Sequence, residues 1–210
     1  ITAEADTPQH ADTLISVLEE KIRERLPHQI FGSDKETQET IIVQLLREHN
    51  FSLAIAEMNT GGHIGQRLVT VPDSYDVFRG GIVVTDKSSL QKLLNIPEHI
   101  FNEYGLISLE VAKKMAESVK RICQADIGLG VSGYTRSAEG KVIDKSVPSF
   151  IVVSNADGSF ATKEYKMSGS VELVQTRVAN MALELVRRTI LMGGWGDGEI
   201  GRWGVGVTGR

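Results

Sequence analysis

Apolar positions change their period several times along this chain, and each change marks an element. From His10 to Leu26, Leu14, Leu18, Ile22 and Leu26 recur every fourth position with charged residues between them. That spacing predicts an amphipathic helix whose apolar face needs a partner. Ahead of it, Ile1 to Ala5 alternates like the end of a strand. Pro27 ends the helix and Ile30-Phe31-Gly32 follows as a short connection. Ser33 to Glu36 reads as a capping box for a second helix, in which Ile41, Ile42, Leu45 and Leu46 face a core and which Asn50 and Phe51 close. Leu53 to Ala56 is then short, apolar and suited to a buried strand. It breaks at Met58-Asn59, and a helix carrying Ile64 and Leu68 resumes behind Thr60-Gly61-Gly62.

The remaining pattern alternates in the same way. Phe78 to Val84 reads as a strand with Gly80-Gly81 inside it, where glycine marks a bulge or a close approach of a ligand or another strand. Asp86 caps a helix through Leu94, Pro97 opens a short one to Phe101, and Ser108 starts a longer one with Val111, Met115, Val119 and Ile122 on one stripe. Ile127 to Val131 is a buried strand. Phe150 to Ser154 and Phe160 to Tyr165 flank Asn155-Ala-Asp-Gly-Ser159, a hairpin signal, and Ser170 caps a last helix bearing Val174, Val178, Met181, Leu185 and Val186. The expected fold is α/β: a three-layer domain with a mixed sheet flanked by helices, plus an N-terminal amphipathic helix. It is expected to divide into residues 1–32, a strand end plus amphipathic helix left from a preceding domain or linker; 33–190, the main domain; and 191–210, a Gly-rich tail without periodicity, expected to be disordered.

Composition narrows the functions. A formal charge of −4 with scattered charges gives no basic face, so no nucleic-acid partner is expected. No apolar run is long enough for a bilayer and no signal segment opens the chain, so no membrane is expected and a cytoplasmic location is the default. The single Cys123 has no disulfide partner, and the five histidines lack ligand spacing, which leaves no metal and no cofactor; His63 is the histidine best placed to meet a ligand.

The break at residues 57 to 63 is the candidate site. Helix starts leave backbone N–H groups free and glycines admit a ligand to them, so the turn suits an anion or a carboxamide, or else serves only tight packing of helix on sheet. Ser132-Gly133-Tyr134-Thr135-Arg136 leaves the later buried strand at its carboxyl end, where α/β proteins place ligands.

Ala56-Glu57-Met58-Asn59-Thr60-Gly61-Gly62 resembles the Ala-Glu-Ser-Cys-Thr-Gly-Gly signature of the CinA C-terminal domain. In the same order follow Val71-Pro72-Asp73-Ser74, Phe78-Arg79-Gly80-Gly81, Leu93-Leu94-Asn95-Ile96-Pro97, Tyr104-Gly105-Leu106-Ile107-Ser108 and Asp126-Ile127-Gly128-Leu129-Gly130-Val131-Ser132-Gly133, so the likeness covers roughly residues 34 to 188. The resemblance implies a nicotinamide mononucleotide amidohydrolase, active in pyridine nucleotide salvage, with a Ser nucleophile supported by a Tyr and a Lys. In longer members it also implies an upstream molybdopterin-binding-like domain joined through a segment like Gln29 to Asp34, while the unpartnered apolar face of the helix from His10 to Leu26 makes a homo-oligomer the expected state. This chain departs at each of the three positions. Met58 replaces the Ser, Thr85 the Tyr and Leu90 the Lys, and a thioether has no proton to lose and cannot carry an acyl group. Possible substitutes are Thr60 and Lys87, or Ser132 as a hydroxyl; against them, Lys87 reads as a solvated helix charge and Thr60 as a helix cap. Arg177 stands near the place of a lost cation, because Ser168-Gly169-Ser170 is followed by Val171. The expected ligand is nicotinamide mononucleotide or a related nucleotide, in contact with Glu57, Asn59, Thr60, Gly61, Gly62, Gly80, Gly81, Ser132, Gly133, Tyr134 and Arg177. Two readings follow: a catalytically impaired nucleotide-binding or scaffolding domain, and an active amidohydrolase with rewired residues.

Overall fold

The computed structural model describes residues 1–26, 30, 32–33, 36–134 and 147–192. Pro27, Phe31, Asp34, Lys35, the loop with Thr135 and Arg136, and the tail from Gly193 lie outside the described residues. Two compact units are present, Ile1–Thr37 and Gln38–Arg210.

In the first unit, α1 spans Pro8–Arg25, with the Thr7 hydroxyl accepting from the His10 N–H at 3.3 Å. No residue of α1 is buried, and Leu14, Val17 and Leu18 are close to half exposed. Residues 1 to 5 form no strand, contrary to the alternation there; a strand needs a partner's backbone to pair with. The capping box is half formed. Glu36 accepts from the Ser33 N–H at 2.8 Å, as the box requires, but the Ser33 hydroxyl donates to the same carboxylate at 3.3 Å while the Glu36 N–H goes to the Ser33 carbonyl, and the next helix begins only at Gln38.

The second unit is a five-stranded sheet in the order β2-β1-β3-β4-β5. Its strands are β1 Leu53–Glu57, β2 Phe78–Val83, β3 Ile127–Ser132, β4 Val147–Ser154 and β5 Phe160–Met167. β1 pairs in parallel with β2 and β3, whereas β4 runs antiparallel to both β3 and β5, which makes the sheet mixed as expected. The β4–β5 hairpin closes where the pattern placed it, with the Asn155 N–H donating to the Ser159 carbonyl.

Among the described residues, six α-helices flank the sheet: α2 Gln38–Glu48, α3 His63–Val69, α4 Lys87–Leu94, α5 Glu98–Tyr104, α6 Leu109–Ile122 and α7 Val171–Met192. Asn50 adopts a left-handed φ of 54° after α2, and the Phe51 N–H returns to the Leu46 carbonyl, so the chain ends that helix where Asn50-Phe51 predicts. One core joins Ile42 and Leu46 of α2, Ile64 and Leu68 of α3 and Val178, Ala182 and Leu183 of α7 to Ile55, Leu129, Ile151 and Val153 of the sheet. The opposite face packs Ala54 and Ala56 against Leu90, Leu94, Ile100, Val111, Met115 and Val119 from α4, α5 and α6. Period-two alternation within β1 thus feeds two cores, one for each side of the sheet. Asp86, Ser108 and Ser170 cap α4, α6 and α7 through side-chain oxygens, as their positions predict.

Candidate functional site

β1 and β3 lie side by side and parallel, but after β1 the chain moves to β2 on one side and after β3 to β4 on the other. Their carboxyl ends are therefore the topological switch point, where open α/β sheets leave a crevice. Met58, Asn59 and Thr60 leave β1 there, and Ser132, Gly133 and Tyr134 end or leave β3.

Glu57 decides the chemistry of the turn. It is 1 % exposed, and its Oε2 accepts from the N–H groups of Gly62 at 3.2 Å and Ile64 at 3.1 Å, while Oε1 accepts from Gly65 at 2.9 Å. The free donors at the start of α3, expected to hold an anion, are thus taken by the chain's own carboxylate. Gly62 sits at the N-cap with φ 95°, a left-handed backbone that favours glycine, and no side chain caps α3 from that position. Thr60 is not the cap either: its Oγ1 is buried without a partner. Beside the turn, a Cβ added to Gly61 would stand 3.0 Å from the Gln175 Nε2 of α7.

Met58 is 4 % exposed and shares one apolar cluster with Leu90, which is wholly buried, and with Val84 and Met115. The positions that the resemblance gives to a nucleophile and its lysine are therefore brought into one cluster and filled by a thioether and an isobutyl group. Thr85, at the third position, is exposed. Lys87, named as a possible substitute for the lysine, has its Nζ 2.5 Å from Glu98 Oε1 and 5.5 Å from the centre of the Phe101 ring. Its ammonium holds the Glu98 carboxyl below the usual carboxylate range.

The other nominated residues divide. Asn59 is 3 % exposed; its Nδ2 donates to Ser149 Oγ at 2.8 Å, and its Oδ1 has no partner. Ser132 is wholly buried and its Oγ too is without a partner. Gly133 lies against the Asn59 side chain so closely that a Cβ would come within 2.6 Å of its Nδ2. Tyr134, at the surface, is partly exposed.

Gly80 and Gly81 lie on the edge strand β2, paired with Ala54 and Ile55, and a Cβ on Gly81 would stand 2.8 Å from Ile55 Cγ1, so packing of that side chain accounts for one of the two glycines. Gly80 marks a bulge and lines a separate cavity of about 360 Å³ with Val69, Pro72, Tyr75 and Phe78, toward the amino ends of β1 and β2. Arg177 is exposed on α7, and it is Gln175 of that helix that reaches the turn. Sequence reasoning missed Ser149 and Gln175, because each meets the turn through sheet register or helix packing across a long stretch of chain. Among the described residues no group of three or more His, Cys, Asp or Glu is arranged to hold a metal ion, and no helix is long and apolar enough to cross a membrane.

Residues 35–190 match the family model of the CinA C-terminal domain. The chain belongs to the CinA C-terminal domain family. A CinA-like protein of Dictyoglomus turgidum is 35 % identical over 191 residues, covering 91 % of this chain and 46 % of the relative. A protein of Alkaliphilus oremlandii described as a putative competence-damage inducible protein is 35 % identical over the same length and the same shares. This CinA-family chain thus spans about half the length of the curated relatives it matches. Among solved structures, a CinA superfamily protein of Klebsiella pneumoniae superposes with a TM-score of 0.67 at 16 % identity, covering 75 % of this chain and 99 % of that one. The competence/damage inducible protein CihA of Agrobacterium tumefaciens gives 0.59 at 21 % identity, covering 78 % and 96 %. These likenesses establish the CinA fold.

Proposed function

We propose that this CinA C-terminal domain binds nicotinamide mononucleotide or a related nucleotide at the β1–β3 switch point without hydrolysing it. The observation that carries this reading is the burial of Met58 and Leu90 in one apolar cluster, where a hydrolase of this family would hold its nucleophile and lysine. Amide hydrolysis needs a nucleophile and a base for its proton. Thr60 and Ser132 offer hydroxyls with no base recorded against either, and Lys87 is committed to Glu98. Binding, by contrast, is supported by polar side chains that remain buried and unpaired at the end of the sheet.

Two measurements on the purified chain test this together: calorimetric titration with nicotinamide mononucleotide, and ammonia release on incubation with it. Heat of binding without ammonia is expected. Losing a nucleophile alone typically costs about 10⁶ in turnover. Met58→Ser is expected to stay silent, because Leu90 and Thr85 still lack the partners a serine would need. Ammonia release by the unmodified chain that disappears in Thr60→Ala would overturn the reading in favour of an amidohydrolase with rewired residues.

A further inference from the structure

The cavity of about 360 Å³ toward the amino ends of β1 and β2 lies at the opposite end of the strands from the switch point, and none of the residues at the switch point lines it. Its volume is that of a small-molecule site. Val71, Ser74 and Phe78 form its buried wall, while Pro72 and Tyr75 are exposed, Tyr75 by 77 %. A Cβ built on Gly80 would meet nothing within 4 Å, so the open space reaches the backbone of β2. Two features of this wall are left over once packing is accounted for. Ser74 is 5 % exposed, its N–H donates to the Val71 carbonyl and its carbonyl accepts from the Val77 N–H, yet its hydroxyl makes no hydrogen bond among the described residues. Buried hydroxyls are ordinarily paired, and a ligand in the cavity would complete this one.

Charge is the second feature. Asp73 precedes Ser74 in a left-handed backbone of φ 58°, and its carbonyl accepts from Arg47 Nη2 at 2.6 Å. The same guanidinium gives Nε and Nη2 to the Asp76 carboxylate at 2.9 and 3.2 Å, so this loop sets two carboxylates against one engaged cation. No other cation lines the cavity: Arg67 is bound to Glu39 and Asn180, and Arg79 acts on Asp126. Thr70 donates its hydroxyl to the Arg67 carbonyl. The wall is therefore rich in acceptors and poor in free donors, and it presents two aromatic rings, Tyr75 and Phe78, whose faces attract positive charge.

We infer that this cavity is a second binding site, for a small organic cation with a flat apolar body, such as an arylamidinium or a protonated aromatic amine. The body lies against Phe78 and Tyr75, and the cation's N–H groups go to Ser74 Oγ and the Asp73 carboxylate. An anion of the same shape would meet Asp73 and find the Arg47 guanidinium already engaged. The site is independent of the proposed nucleotide site and stands or falls without it.

The test titrates the full chain with benzamidine, with its neutral counterpart benzamide and with the anion benzoate, while the backbone amide resonances are followed by NMR. Benzamidine is expected to shift the amides of residues 69–80 and to bind about fivefold tighter than benzamide or better, with benzoate leaving those amides unmoved. Asp73→Asn keeps the carbonyl that Arg47 holds and suits a left-handed backbone, so the fold is retained, and the preference for benzamidine over benzamide is expected to shrink toward unity. Tyr75→Ala, at an exposed side chain, is expected to weaken benzamidine by about two- to fivefold. Equal binding of benzamidine and benzamide by the unmodified chain overturns the inference, as do shifts that leave residues 69–80 untouched or no binding at all. A preference unchanged in Asp73→Asn overturns the pairing of the cation with Asp73.

Discussion

Glu57 carries more of the local structure than any other single side chain of the turn. One carboxylate serves three backbone N–H groups at the start of α3 from inside the protein. Glu57→Ala would leave those donors buried and unpaired, so a loss of about 2–4 kcal/mol is expected in urea denaturation, with Glu57→Gln falling between because one oxygen can still accept. Asp126 does related work at the other end of the strands. Its Oδ2 accepts from the Ser52 hydroxyl at 2.6 Å and from the Ser52 N–H at 2.8 Å, tying the start of β1 to the start of β3. The Ser52 hydroxyl is the first cause that holds this carboxyl below its ordinary range. A group whose pKa is lower folded than unfolded stabilises the fold above its unfolded pKa, and that contribution is lost as pH falls through the folded one. Denaturation midpoints measured between about pH 7 and 3 should therefore fall less steeply in Ser52→Ala than in the unmodified chain.

At the scale of elements, β3 and α6 are held closer than ordinary side chains allow. A Cβ on Gly130 would stand 2.2 Å from the Ala112 carbonyl oxygen, and one on Gly128 2.1 Å from that of Ala116. Backbone atoms cannot rotate away, so Gly130→Ala is expected to push α6 off the sheet at a cost of about 3 kcal/mol, read as a fall in Tm of roughly 6–12 °C. Gly80→Ala is the useful contrast. Its φ of 139° strains an alanine, yet nothing lies within 4 Å of the added carbon, so a loss of about 1–2 kcal/mol and no movement of a helix are expected. These two glycines also show what the sequence made legible. The strand at Ile127, the β4–β5 hairpin and the capped starts of α4, α6 and α7 follow from periodicity and local hydrogen bonding, which neighbouring residues determine. The approach of α6 to Gly128 and Gly130, by contrast, depends on which helix lands on which strand. The site divides in the same way. That Met58 and Leu90 stand where the resembled signature has a Ser and a Lys was legible once the motif was matched, whereas their meeting in one apolar cluster needed the fold. The capture of the α3 N-terminus by Glu57 needed the turn's three-dimensional path, and the bond from Asn59 to Ser149 needed the antiparallel placement of β4 beside β3. At Gly81 the sequence could not tell a ligand from a packed neighbour, because glycine in a strand gives one signal for both, and the close approach of Ile55 is a matter of the fold.

For the whole molecule, the difference between the two compact units is one of burial. β1 and β3 are inner strands buried at every position; the side chains of β1 fill cores on both faces of the sheet, and β3 gives Ile127, Leu129 and Val131 to one of them. α1, with 18 residues, buries none. An isolated helix of that length is marginal in water, because nucleation is costly and tertiary packing supplies most helical stability. Its sequence adds a Thr7 cap and an Arg23–Glu19 pair, which together contribute only on the order of 1 kcal/mol. Hydrogen exchange separates the two regimes. In dilute solution the α1 amides are expected to exchange almost as fast as those of a free helix, whereas the amides of β1 and β3 should exchange only through global unfolding, orders of magnitude more slowly. Protection of α1 comparable to that of the strands would show that Leu14, Val17 and Leu18 are covered by another surface. If that protection rises with protein concentration and is lost on dilution, the covering surface is a second copy of the chain; if it is independent of concentration, the cover comes from within one chain.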